Sequence, residues 1–152
     1  MTRKKTTKMM KKNPISHSEK HRLREMVPTL DELRLLDIRR DYRAIRARAF
    51  GNSIPPIEEV SVILLPKREM IRATGAEDSM GFTCAGLVGG KRVPFVIGIE
   101  NDLGVVITRM TLIHEMAHLK VNLKYDRLMG HGKIWIAEMH RLVRIGEMDA
   151  WF

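Results

Sequence analysis

His114, Glu115 and His118 form the pattern H-E-x-x-H, and His131 follows between Gly130 and Gly132. On a helix, residues i and i+4 lie one turn apart on the same face, so two imidazoles at this spacing can aim at one metal ion. Glu115 is rotated from His114 by about 100° around such a helix. Its carboxylate then stands beside the ion, within reach of a water rather than of the ion itself. Zinc makes such a water acidic near neutral pH, and a neighbouring carboxylate can accept its proton. The chemistry implied is hydrolysis of a polarised carbonyl. The plain alternative is a buried helix with two hydrogen-bonded histidines, which must still find partners for three polar side chains among apolar ones.

A catalytic zinc takes three protein ligands and leaves its fourth position to water. The downstream candidates are Asp126, His131, Glu138, His140 and Glu147. Glu138 lies twenty residues after His118, a spacing compatible with glutamate-type zincins. His131 is expected to open the helix that carries Glu138. Two positions seven residues apart on one helix differ by about 10.5 Å along its axis, so only one of them should bind the ion. Gly130 and Gly132 suit a tight turn and a close backbone approach. His140 points elsewhere on the same helix and reads as a surface histidine. Nothing around Asp126 singles it out. The residues alone leave His131 and Glu138 both open.

The elements that must position these groups follow from periodicity. Thr29 or Asp31 caps a helix to about Phe50, with Leu35, Ile38, Tyr42, Ile45 and Ala49 as its apolar stripe. Its arginines and aspartates read as a solvated face. Val60–Leu65 is a β-branched, apolar run stopped by Pro66, which predicts a buried strand. "KREMIRATGAEDS" is a connection without a periodic signature. Phe82–Val88 and Phe95–Ile99 read as strands around a Gly89-Gly90 turn. Asn101 or Asp102 caps a helix from about Leu103 to Leu123. This helix is apolar around most of its circumference, from Val105, Val106 and Ile107 to Leu119 and Val121, which predicts burial. A last helix runs from His131 to Gly146. The order predicts an α+β domain, zincin-like only by its HExxH helix. A small antiparallel sheet of about three strands is packed by an N-terminal helix, the HExxH helix and a C-terminal helix.

A chain of 152 residues predicts one domain with its own core. Residues 1–28 read as a flexible basic arm and 29–152 as the domain. The arm holds nine Lys/Arg (Arg3, Lys4, Lys5, Lys8, Lys11, Lys12, Lys20, Arg22 and Arg24) against Glu19 and Glu25, which is +7 of the net +9. Such an arm suits a polyanion, and DNA is the expected partner. It has no aromatic residue to stack on bases, so contact is expected to be electrostatic and sequence-neutral. Cys84 is the only cysteine, which excludes an intrachain disulfide and a cysteine-held metal cluster. No apolar run reaches the roughly 18 residues that span a bilayer, and no signal-peptide core follows the charged N-terminus. The expectation is a cytoplasmic protein with no membrane partner.

"LIHEMAHLKVN" followed by "GHGKIWIAEMHRL" resembles the SprT-like zinc metalloprotease domain, whose family includes the Spartan-type DNA–protein crosslink proteases. That family carries a helix-borne HExxH and a later G-H-G-x-x-[FW] element that opens the next helix. The match covers Leu112–Leu142. "MGFTCAG" and "FVIGI" are similar to the strand pair before the metal helix, and residues 1–58 carry little of it. The resemblance implies one Zn2+ held by His114, His118 and His131, with Glu115 as general base. It gives Glu138 a supporting or structural role. Trp135 stands where the family usually has an aromatic beside the site. Many bacterial relatives end in a four-cysteine zinc ribbon. With one cysteine, this chain reads as a short form without it. The activity implied is that of a zinc endopeptidase on protein substrates, with DNA-bound or DNA-crosslinked proteins as a substrate class. Of the usual DNA-recruiting parts, only the basic arm could stand in.

Two other readings stay beside this one. One is a nucleic-acid-binding or scaffold protein with a structural zinc, against which an intact Glu115 argues, because a structural site has no use for a base. The other is a zincin with Glu138 as third ligand. Tyr125 is the candidate for stabilising an oxyanion. Deleting residues 1–28 is expected to weaken DNA binding and flatten its salt dependence, as read by a salt titration of DNA affinity. Unchanged affinity would place DNA binding elsewhere.

Overall fold

The structure is a computed structural model that describes residues 16, 18, 27–84, 87–88, 91–92, 95–126 and 130–149. Arg3, Lys4, Lys5, Lys8, Lys11 and Lys12 of the arm lie outside the described residues, as does the Gly89-Gly90 turn. Helix α1 spans Leu30–Ile45. Thr29 is its cap, in a reciprocal box: the Thr29 hydroxyl accepts from the Glu32 backbone N–H, and the Glu32 carboxylate accepts from the Thr29 N–H. The stripe read from the sequence turns inward, with Ile38, Tyr42 and Ile45 buried. The chain then widens into a π-helical turn, Arg46–Phe50, which puts the adjacent Ala49 and Phe50 both into the core.

Strand β1, Val60–Leu65, stops at Pro66. Pro66 starts helix α2, Lys67–Thr74, which ends at Gly75 in the left-handed conformation at φ 71°. No periodic signature marks this helix because it is short and fully buries only Met70. Strand β2 is Gly81–Cys84, β3 is Leu87–Val88, β4 is Lys91–Arg92 and β5 is Phe95–Glu100. β3 pairs antiparallel with β4, and β2 pairs antiparallel with β5. β5 also pairs with β1, but in parallel, with Val60 opposite Phe95 and Leu65 opposite Glu100.

The α+β class and three-strand sheet hold, in the order β1-β5-β2, but the sheet is mixed rather than antiparallel. The reason is β2: α2 links the end of β1 to the start of β2 at the same end of the sheet, and β2 then runs back, so that β5 re-enters alongside β1 in the same direction.

Helix α3, Val105–Tyr125, begins at Gly104 and lacks a side-chain cap, so neither Asn101 nor Asp102 serves as one. The turn before it is held by Arg34, whose guanidinium donates to the carbonyls of Asn101 and Leu103. Burial is confined to the middle of α3, from Thr111 to Val121. Val105, Val106 and Ile107, expected to be buried, are exposed. Helix α4 is Lys133–Arg144, so His131 precedes it instead of opening it.

The core gathers Ile38, Tyr42 and Ile45 of α1, Ile97 and Ile99 of β5, and Leu112, Ile113 and Met116 of α3. Arg109 on α3 pairs with Asp41 on α1 at 2.8 Å. Gly98, on the opposite face of β5 from Ile97 and Ile99, faces Phe82 of β2. A Cβ there would lie 2.2 Å from the nearest carbon of the Phe82 ring. Gly98→Ala is therefore expected to cost about 1–3 kcal/mol in denaturant unfolding, and much less in a Phe82→Ala background. Equal costs in both backgrounds would overturn the contact.

Candidate metal centre

His114 and His118 lie one turn apart on α3, with their Nε2 atoms 3.2 Å apart. His131 Nε2 is 2.9 Å from each of them. No helix supplies this third ring. α3 ends at Asp126, in the left-handed region at φ 51°, and His131 sits in the bend before α4. Being outside the helix removes the axial offset that made His131 and Glu138 competitors on one rod. The flanking glycines are not required by crowding. An added Cβ at Gly130 or Gly132 would meet nothing within 4 Å, and neither has a positive φ.

The triangle of nitrogens cannot be a satisfied hydrogen-bond network. Each ring nitrogen either carries a proton or offers a lone pair. Among three mutually touching nitrogens two must be alike, so at least one edge sets like against like. A single cation facing three lone pairs resolves the conflict. Tetrahedral zinc with bonds of about 2.0–2.1 Å spaces its nitrogen ligands about 3.3–3.4 Å apart. The observed 2.9–3.2 Å is close to that, so the donor set could hold such an ion. Trp135, in the first turn of α4, closes one side, with its ring centroid 4.7, 5.2 and 4.6 Å from those of His114, His118 and His131.

Glu115 is 3% exposed. The Thr83 hydroxyl lies 2.7 Å from its Oε2 and 3.0 Å from its backbone carbonyl, which ties edge strand β2 to α3. The two elements nearly touch at Gly81. A Cβ there would lie 2.7 Å from Thr111 Cγ2 and 2.9 Å from Glu115 Oε1. Burial pushes the Glu115 carboxyl up to about 7, against the opposing pull of the Thr83 hydrogen bond. Burial, and then the neighbouring His131, push His114 down to about 4, which keeps its ring neutral near pH 7. Sequence reasoning missed Thr83 and Gly81. Strand alternation puts both on one face of β2, and that is the only signal the sequence holds for them.

The other candidates go elsewhere. Glu138 is buried in an ion-paired bracket, 2.8 Å from Lys120 of α3 and 2.6 Å from Arg141 of its own helix. Burial alone would raise its pKa, but the bonds from Arg141 and Lys120 outweigh this and hold it below the usual carboxylate range. Arg141 also donates to the Ala49 carbonyl at 2.7 Å, so α4 is pinned to both α3 and the π turn. Glu147 pairs with Arg48 at 2.6 Å. His140 is exposed, and Asp126 is exposed at the end of α3. Tyr125 is also exposed, beneath the Lys124 ammonium at 5.6 Å, and does not line the cavity described next.

A cavity of about 590 Å³ opens onto His114, Glu115, His118 and His131. One wall is a continuous face of α3, from Ile107 to Asn122, and another is the stretch from Ser79 to Thr83. Compared with protein-family models, curated proteins and solved structures, the chain matches none.

In metal-free protein Glu115 gives a signed pH dependence. Its folded pKa, about 7, exceeds the ordinary 4.5, so its contribution is intact below pH 4.5 and is lost as pH rises through 7. Glu115→Gln removes that loss. The stability of the variant relative to wild type should grow by about 3 kcal/mol between acid and mildly basic pH, as read by denaturant unfolding without metal. A pH-independent difference would contradict the burial of the charge.

Proposed function

We propose that this protein is a zinc-dependent endopeptidase of the SprT-like kind. The observation that carries the reading is the frustrated triangle of three histidine nitrogens beside a buried carboxylate, at the wall of one cavity. His114, His118 and His131 would hold the ion. When bound, zinc acts as a Lewis acid that makes water more acidic and polarises the scissile carbonyl. Glu115 takes a proton from the attacking water as the C–O bond forms. It passes that proton to the amide nitrogen as the C–N bond breaks. The Thr83 hydroxyl fixes Oε2, so the carboxylate is oriented before substrate arrives. Trp135 packs against all three rings and keeps bulk water from that side.

The substrate reading is an extended protein segment. Among the described residues β2 pairs only with β5, and Gly81–Thr83 line the cavity, so a strand-like chain would find backbone partners there. DNA-bound or DNA-crosslinked proteins as targets rest on the resemblance and on the +7 arm. No helix among the described residues is long and apolar enough to cross a membrane. A structural zinc fits less well. Among the described residues no fourth His, Cys, Asp or Glu joins the three histidines, and Glu115 would be buried at a cost with no use.

Glu115→Gln is expected to retain one zinc per chain and to lose proteolysis by a factor of about 100 or more. Unchanged cleavage by that variant would sink the mechanism. In metal analysis, His131→Ala should lose zinc. Glu138→Ala should keep it while unfolding about 1–3 kcal/mol more easily. The reverse pattern would restore Glu138 as the ligand.

A further inference from the structure

The α3 wall of the cavity changes character along its length, while Met139 and Met148 line the cavity from outside α3. Toward the N-terminus from His114 lie Met110, one turn away, and Ile107, nearly two turns away, or about 6 and 10 Å along the axis. Met80, just before β2, lines the same space, while the Phe82 ring lies on the other face of that strand, over Gly98. Toward the C-terminus the helix offers the carboxamide of Asn122 instead. Met80 is 44% exposed and Ile107 41%, so apolar surface stands uncovered beside the reactive groups. Asp78 and Ser79 sit at the same side, but Asp78 is exposed to solvent and the Ser79 hydroxyl already donates to the Gly81 carbonyl at 3.0 Å.

We propose that Met80, Ile107 and Met110 form a specificity pocket that takes one bulky apolar side chain of the substrate. An extended chain advances about 3.3–3.6 Å per residue. A side chain held 6–10 Å from His114 therefore belongs to a residue within about two or three positions of the cleaved bond. Methionine side chains are flexible and polarisable, so a wall built on two of them accepts leucine, phenylalanine, methionine and isoleucine rather than one shape. The selection is by apolar burial, with discrimination of about 10- to 200-fold against a small or charged side chain. This inference rests on the peptidase reading for the words "cleaved bond", but not for the pocket itself.

The experiment has two arms. Zinc-loaded wild-type protein digests an unfolded protein mixture, and the cut sites are mapped by mass spectrometry. Leu, Phe, Met and Ile should be enriched at one position within three residues of the cut. Met80→Gln and Ile107→Gln, both at exposed positions that do not threaten the fold, should each lower the Leu-over-Ala preference there by about tenfold. Ile107→Lys should bring Asp and Glu into that position, which a purely structural role would not do. In the second arm, Glu115→Gln protein is titrated with two labelled peptides that differ only by Leu or Asp, and tighter binding of the Leu peptide is expected. Cleavage with no apolar enrichment overturns the pocket and leaves the peptidase reading standing. No cleavage, with Leu-dependent binding lost in Met80→Gln, overturns the peptidase reading and keeps the pocket. Neither cleavage nor discrimination in binding overturns both.

Discussion

Helix α3 carries the centre of the hydrophobic core and, one residue away from it at every turn, the ionisable groups of the site. Ile113 and Met116 are fully buried, while His114 and Glu115 lie between them in sequence. A buried carboxylate and two half-buried imidazoles cost several kcal/mol if left without partners. The rest of the molecule is arranged around meeting that need. β2 is drawn so close that only glycine fits at Gly81, and this brings the Thr83 hydroxyl to Glu115. The bend before α4 brings His131 to the pair on α3. The three nitrogens that result still conflict with one another, and a cation would be a partner that relieves them.

His131 lies on irregular backbone, so its placement depends on what anchors the chain just after it. The Glu138 bracket serves that purpose. One carboxylate receives Lys120 from α3 and Arg141 from α4, and Arg141 continues to the Ala49 carbonyl. An ion-paired cluster of this kind adds little net stability over an apolar one, but it fixes a unique register between the elements it joins. The residue that competed with His131 on paper therefore helps to hold His131 in place.

What could be read from the sequence divides along sequence distance. The i, i+4 geometry of His114 and His118 is local, and so are the stripe of α1 and the break at Pro66. The convergence of His131 was not legible from spacing. The spacing argument put it on the same helix as Glu138, whereas it stands in the bend before that helix. Thr83 meets Glu115 from 32 residues away, and no periodicity encodes such a meeting. The parallel pairing of β1 with β5 was missed for a related reason. Its cause is that α2, a helix of eight residues with one fully buried side chain, intervenes before β2 takes the chain back, and β5 inserts between β1 and β2. The first turn of α3 failed in the opposite sense. Val105, Val106 and Ile107 are as apolar as the turns that follow, but among the described residues no element is laid over them.

Trp135 gives the site an order of events. Its indole lies against all three histidine rings and closes that side, while the cavity is open on the side of Glu115. An ion held there and a substrate reaching it would share the cavity. A chain lying in the cavity would stand between the ion and solvent on that side, so departure of the metal would be slowed until the chain left. The protein would then hold its ion more tenaciously while a chain is bound than between turnovers.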